Sequence, residues 1–232
     1  MKVKNPERER KVRQELYAVS VRAFLRDGYE GATMKALAEE AGCTTGRFYC
    51  YFSGKQEILC ALMTELFEKN KAVSDRLAAK RQDAAYGAAV FADLLFQGAA
   101  LHENLRELYR QGLSEEAGRK AFKASAAAYL PEGITGDEAE IRMEAAARII
   151  PVFLSEEPDE SREGLFLTML LKTLGCEKEA IASYIGQLSK DEKSIREKAY
   201  DTLVKILQGR KRRTTGEKKE GSSPEKQNVK KM

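Results

Sequence analysis

Between Thr44 and Lys55 the chain reads T-T-G-R-F-Y-C-Y-F-S-G-K, a run dense in groups that can hydrogen-bond an anionic surface. Arg47 can make a bidentate contact to guanine or a simple contact to a phosphate. Thr44, Tyr49 and Tyr51 carry hydroxyls that can bond phosphate oxygens. Lys55 stands where a helix would begin, so its charge and the free N–H groups there both favour a phosphate. Phe48 and Phe52, four residues apart, are the inward anchors of this run, which leaves Thr45, Arg47 and Tyr49 to face solvent or a groove.

Short helices must hold these groups in place. Thr33 is a natural N-cap, its hydroxyl accepting an orphan N–H. Met34, Leu37, Ala38 and Ala41 then recur at i, i+3, i+4 and i+7, one apolar stripe of helical period. Gly42 follows where a left-handed residue is cheapest, and Cys43 can bury as a small hydrophobe. Thr44 is a second N-cap, opening a helix over about 45–50. Two short helices with a Gly-centred corner make a helix-turn-helix, which lays its second helix in the DNA major groove. The expected DNA-facing set is Thr33, Thr44, Thr45, Arg47, Tyr49, Tyr51 and Lys55. Such corners also occur in all-α proteins that never meet DNA, where the same residues are only a solvated surface.

The stretch from about 8 to 60 resembles the DNA-binding domain of the tetracycline-repressor (TetR) family of bacterial regulators. Phe24, Gly28, Tyr29, Ala32, Thr33, Met34, Ala38, Ala41, Gly42, Gly46, Tyr49, Phe52, Lys55 and Leu59 carry the likeness, and Gly46-x-x-Tyr49-x-x-Phe52-x-x-Lys55 is its most specific part. Members often have valine at the Cys43 position, lysine at Thr45 and histidine at Tyr51, so one phosphate-binding charge is missing at Thr45. The resemblance implies an all-α protein: an N-terminal three-helix head joined by a long helix to a helical body for ligand binding and dimerisation. It further implies double-stranded DNA with a palindromic operator as partner, a homodimer, and release by a small-molecule effector.

Charge is distributed to match. Residues 1–60 hold 11 Lys/Arg against 8 Asp/Glu, residues 61–207 hold 20 against 25, and residues 208–232 hold 9 against 3. A basic head on an acidic body suits a protein that turns one end to a polyanion. Other chemistry finds little support. His102 is the single histidine, and the four cysteines (43, 50, 60, 176) lack C-x-x-C spacing, so neither a zinc site nor a disulfide framework is expected. A triad through His102 has no nucleophile motif behind it. No catalytic residue, metal or cofactor is expected. The two rival readings are an all-α enzyme and a helical protein–protein adaptor. No apolar run follows the first lysines, and Leu165–Leu171 is too short to span a bilayer, so a cytoplasmic product is expected.

Along the chain, three units are expected: residues 1–55 as the head, 56–208 as the body and 209–232 as a disordered basic tail. A first helix over 6–27 should end at Gly28. A long helix from 56 to about 79 should link head to body. Further helices are expected at 81–98, 100–113, 115–130, 137–156, 159–174, 177–188 and 191–208, with a loop at Pro131–Gly136 and a kink or break at Pro151. Two late stripes are candidates for a dimer face: Leu165, Phe166, Met169, Leu170 and Leu174, and Ile195, Ala199, Leu203, Ile206 and Leu207. The same stripes could equally face the chain's own core. Met63, Phe67, Tyr86, Phe91, Phe96, His102, Tyr109, Phe122, Tyr129, Met143 and Phe153 on the central helices are candidates to line an effector cavity, although plain core is the commoner role for each.

Overall fold

The computed structural model describes residues 5–208, with side chains as far as 205, and it is helical throughout that range. The head is built from α1 (Pro6–Gly31), α2 (Met34–Glu40) and α3 (Thr45–Tyr49). At the start of α1 the Asn5 side chain accepts the Glu7 N–H at 3.0 Å, and Pro6 fills the first turn where its missing donor costs nothing. Phe24, Leu37, Ala38, Phe48 and Phe52 close the head's interior against Ile58 and Leu59 at the start of α4 (Lys55–Arg81).

The first helix runs four residues further than the expected 6–27. Gly28 is non-helical (φ 78, ψ 165), yet the chain resumes a last half-turn to Gly31, and Ala32 N–H returns to the Gly28 carbonyl. The glycine therefore kinks the helix instead of ending it. α4 matches its expected span and links head to body. Two ties hold α1 to it: Tyr17 donates its hydroxyl to Glu65 at 2.8 Å, and Arg13 donates to Glu57 at 2.8 Å.

In the body, α5 (Ala84–Leu101) is apolar on nearly every face and is accordingly the buried central helix. Around it stand α6 (Glu103–Ser114), α7 (Glu116–Ala126) with a 3-10 turn at Ala127–Tyr129, α8 (Gly136–Phe153), α9 (Glu160–Leu174) and α10 (Lys178–Gln208). α8 ends at Phe153, two residues after Pro151 and three short of the expected 156. The proline lacks the N–H that would bond the carbonyl four residues back, and it sits in the last turn, where little helix remains to be redirected. The two helices expected at 177–188 and 191–208 are one, α10. No glycine or proline separates them, and Ile181, Tyr184, Leu188, Ile195, Ala199 and Leu203 form a continuous buried stripe. Asp191, placed at the expected break, instead latches α10 to the end of α4: Arg81 donates to it at 2.5 Å and the Tyr86 hydroxyl at 3.0 Å. Burial, then that carboxylate, push the Tyr86 hydroxyl up to about 12.

The expected dimer stripes are divided by the structure. Phe166, Leu170, Leu174, Ile195, Ala199 and Leu203 are buried within this chain alone, because helical periodicity marks a buried face without saying what buries it. Ile206 and Leu207 lie beyond the described side chains, and the tail at 209–232 lies outside the described residues. What α9 and α10 leave exposed are Leu165, Met169 and Tyr200. No helix among the described residues is long and apolar enough to cross a membrane.

Candidate nucleic-acid interface

The corner between α2 and α3 is closed by the two threonine caps and a left-handed glycine. Thr33 Oγ1 accepts Ala36 N–H and Thr44 Oγ1 accepts Arg47 N–H, each at 3.2 Å. Gly42 has φ 65, which carries the chain round so that Cys43 N–H reaches the Ala38 carbonyl at 2.9 Å. These bonds satisfy donors and acceptors that short helices would leave orphaned. Phe48 and Phe52 then plug α3 into the head, their ring centroids 5.9 Å apart. Arg13 lies over the Phe52 ring at 4.3 Å from its centroid while bonding Glu57.

With both phenylalanines inward, the opposite side of α3 faces solvent. Thr44, Gly46, Arg47 and Tyr49 are exposed and Thr45 is half-buried. Tyr49 shows 51% of its surface, a large amount for an aromatic ring on a five-residue helix. Arg47 enters no ion pair among the described residues, so its guanidinium is available. A β-carbon built on Gly46 meets nothing within 4 Å, so no contact among the described residues requires glycine there.

Two of the expected residues are engaged within the protein. The Lys55 ammonium donates to the Tyr29 carbonyl at 3.0 Å and to Glu30 at 3.3 Å, and it lies 4.3 Å from the centroid of the Tyr29 ring. It fastens α4 to the end of α1, so a phosphate would have to compete for it. Tyr51 is half-buried, and desolvation followed by a hydrogen bond to Glu9 raises its hydroxyl above the ordinary tyrosine value. Its proton is thus held and already directed at a carboxylate. Thr33 is exposed and its hydroxyl caps α2.

Sequence reasoning missed the supports. Glu57 accepts both the backbone N–H (2.8 Å) and the hydroxyl (3.0 Å) of Ser53, and with Arg13 these bonds outweigh burial to hold its carboxyl below the usual range. The Ser53/Glu57 pair is close to capping-box spacing and could have been read. Asn104 could not. Its amide donates to the Leu25 carbonyl at 2.8 Å, from α6 into α1, across 79 positions of sequence.

Among known proteins, the family described as "Bacterial regulatory proteins, tetR family" matches residues 16–62, which is α1 from Leu16 through the first turns of α4. The HTH-type transcriptional repressor AcnR of Corynebacterium diphtheriae is 40% identical over 53 residues. That match covers 23% of this chain and only 28% of the repressor's length. Over the whole fold, the crystal structure of RolR with resorcinol superposes with a TM-score of 0.61 at 17% identity, covering 84% of this chain and 96% of RolR. RolR without ligand gives 0.56 at 18% identity, covering 80% and 95%. At such identities the likeness is one of fold. The family match is confined to the head: residues 16–62 are similar to the bacterial regulatory proteins of the tetR family, and the likeness of the body to RolR is one of fold.

Proposed function

We propose that the protein is a dimeric, DNA-binding transcriptional repressor that leaves its operator when a small molecule occupies the body. One observation carries the reading. Phe48 of α3 and Phe52 just beyond it turn inward, leaving Thr44, Arg47 and Tyr49 outward and Thr45 half-buried, beside a glycine that no contact among the described residues explains. Arg47 reads a guanine or clamps a phosphate, Tyr49 and Thr44 bond phosphates, and Thr45 faces the groove wall. Thr33, Tyr51 and Lys55 stand at the edge of this surface, and the last two reach DNA only by exchanging their present partners.

Repression is supported by the head's likeness to AcnR, which is a repressor, and release by a small molecule is supported by RolR, whose fold holds resorcinol. For the homodimer, Leu165, Met169 and Tyr200 are large apolar groups left exposed on adjacent helices, the kind of surface a second copy would cover. Such a protein works in the cytoplasm, beside the chromosome.

The test is selection of bound fragments from random duplex DNA by the full chain at a fixed salt concentration. The reading requires a roughly palindromic site whose half-sites lie ~34 Å apart or a multiple of it. Retention of no fragment, or of all sequences equally, sinks it.

A further inference from the structure

Positive charge in the head is largely engaged within it. Lys11, Arg13, Arg26, Lys35 and Lys55 each lie within 4.0 Å of a carboxylate. Arg8, Arg10, Arg22 and Arg47 are the head's described cations that enter no ion pair, and of these Arg47 is on α3 and the others on α1. Duplex DNA presents one negative charge per about 1.7 Å of its axis. The described head can therefore neutralise few phosphates without opening an ion pair.

α10 carries the chain to a further source of charge. Its Tyr184 hydroxyl reaches Asp83 at 3.4 Å and its Asp191 accepts from Arg81, both at the end of α4 that lies away from the head. Arg196 then donates to Gln97 at 3.0 Å, near the end of α5 that leads on to Asn104 and its bond to Leu25 of α1. From Arg196 to Gln208 the helix advances about 18 Å more, and α10 packs against α1. The chain thus leaves the body on the side of the head. Arg210, Lys211, Arg212 and Arg213 come next after Gly209, so any path keeps them within about 18 Å of the end of α10. Residues 209–232 lie outside the described range, and their sequence holds 9 Lys/Arg against 3 Glu.

We infer that residues 209–232 make a second contact with duplex DNA, along the phosphates that flank each half-site, while α3 occupies the groove. The inference rests on the proposed DNA-binding role of the head and adds a surface for the same partner. Length suffices: the segment spans up to about 80 Å, against about 39 Å for the 26 residues of α1. Contacts to phosphates carry no sequence information, so this one adds affinity and leaves base preference to α3. The acidic body is the rival for these cations, and many of its carboxylates already have partners. Asp75 has Lys71, Asp191 has Arg81, and Glu144 has Arg119, Lys123 and Arg148. The phosphates of a duplex hold only condensed counterions, and their release favours the protein.

The experiment compares the full chain with a full-length variant in which every Lys and Arg of 209–232 is Gln. Fluorescence anisotropy over a series of salt concentrations is read on duplexes carrying the selected site or a random sequence. Each lost phosphate contact lowers the slope of log affinity against log salt by about 0.9. Loss of the run from Arg210 to Arg213 alone should then lower it by about 3–4, and affinity at low salt should fall about tenfold or more. Melting temperature and the ratio of operator to random affinity should not change. Hydroxyl-radical footprints should show protection outside the half-sites with the wild type, and none there with the variant. A slope change below one, or the same footprint from both proteins, overturns the inference. So does tighter binding by the variant, which would seat these residues on the acidic body. Two proteins that select one operator with equal slopes defeat this inference alone. A wild type that holds every sequence equally, beside a variant that holds none, defeats the repressor reading alone. A wild type that holds no duplex at low salt defeats both.

Discussion

Gly28→Ala tests the junction of head and body, and its cost can be worked from the structure. Gly28 holds φ 78 and ψ 165, a region reached essentially only by glycine, and a residue with a β-carbon pays about 1–3 kcal/mol to stay there. The new methyl would also sit 3.4 Å from Asn104 Oδ1, at the near edge of ordinary van der Waals contact. Moving Asn104 loosens its 2.8 Å bond to the Leu25 carbonyl, one of the acceptors that the kink withdraws from the regular helix, and an unsatisfied group of this kind costs about 1–3 kcal/mol. The two effects overlap, since yielding to one relieves the other, so the expected total is about 2–4 kcal/mol. For a domain of this size each kcal/mol lowers the melting temperature by about 2–4 °C. Gly31→Ala is the internal control: its methyl would meet only Asp27 Cβ at an ordinary 3.6 Å, without a positive φ, so stability should change by less than about 0.5 kcal/mol. Urea denaturation followed by circular dichroism reads both variants. A Gly28 variant no less stable than the Gly31 variant refutes the argument. So does strict additivity with Asn104→Ala, because residues in contact should couple by at least about 0.5 kcal/mol.

Four further outcomes are expected. Arg47→Ala should cost about 1–3 kcal/mol of operator affinity and relax base preference at one position, measured by anisotropy on the selected site and its variants; a sequence-independent loss would reassign Arg47 to a phosphate. Gly46→Ala should stabilise the fold by about 0.5–1 kcal/mol, since alanine suits a helix better and the space is open, yet weaken DNA binding; opposite signs in melting and affinity are required, and affinity left intact removes the reason given for the glycine. Lys55→Met should lower the melting temperature while changing the salt slope of DNA binding by less than one, because its charge already serves Tyr29 and Glu30; a slope change of a full unit would show the ammonium on a phosphate. Asp191 has a carboxyl depressed chiefly by its hydrogen bond from Arg81, so its stabilising effect is complete above the ordinary carboxylate range and fades as pH falls through its lowered folded value. The gap in melting temperature between wild type and Asp191→Asn should therefore be constant from about pH 5 to 7 and close below about pH 4; a gap that widens in acid contradicts the latch.

The head was legible because its signals are local. A cap, a stripe at i, i+3, i+4 and i+7, and a glycine after the last apolar position occupy a dozen residues and agree with one another, and α2 and α3 begin where Thr33 and Thr44 place them. The body was legible as helices but not as an assembly. Leu170 and Ile195 are apolar on schedule, yet nothing in that schedule says whether the covering surface is α5 or a second chain. The break assumed at 189–190 reflected a short polar interval in the stripe, which a helix tolerates when Asp191 finds Arg81 110 positions away. Lys55 was placed at the right helix start, but its partners within the protein, the Tyr29 carbonyl and Glu30, lie more than twenty positions away and were not read. Long-range partners of this sort leave no mark on the neighbouring residues.

On the proposed function, the same junction would let a small change in the body matter at the operator. α4 has 27 residues and is thus about 40 Å long, tied to α1 by Tyr17 and Arg13 so that the head follows its end. Tilting such a lever by only about 5° at the body displaces the head by about 3.5 Å, close to the ~3.4 Å rise of one base pair. In a dimer the two displacements add or cancel according to the two-fold axis, and a sum of two base-pair steps would take both recognition helices out of register. The effector need supply little: a twentyfold loss of operator affinity corresponds to about 1.8 kcal/mol of coupling, within the usual range of about 1–3. Asn104 then has a definite place, since a guest that moves α6 pulls on the Leu25 carbonyl at the same time as α4 tilts. Asn104→Ala should leave intrinsic operator affinity within about threefold while reducing the effector's coupling by about 0.5–2 kcal/mol. If effector response is undiminished in that variant, α4 alone carries the signal and the α6 tether only holds the head in place.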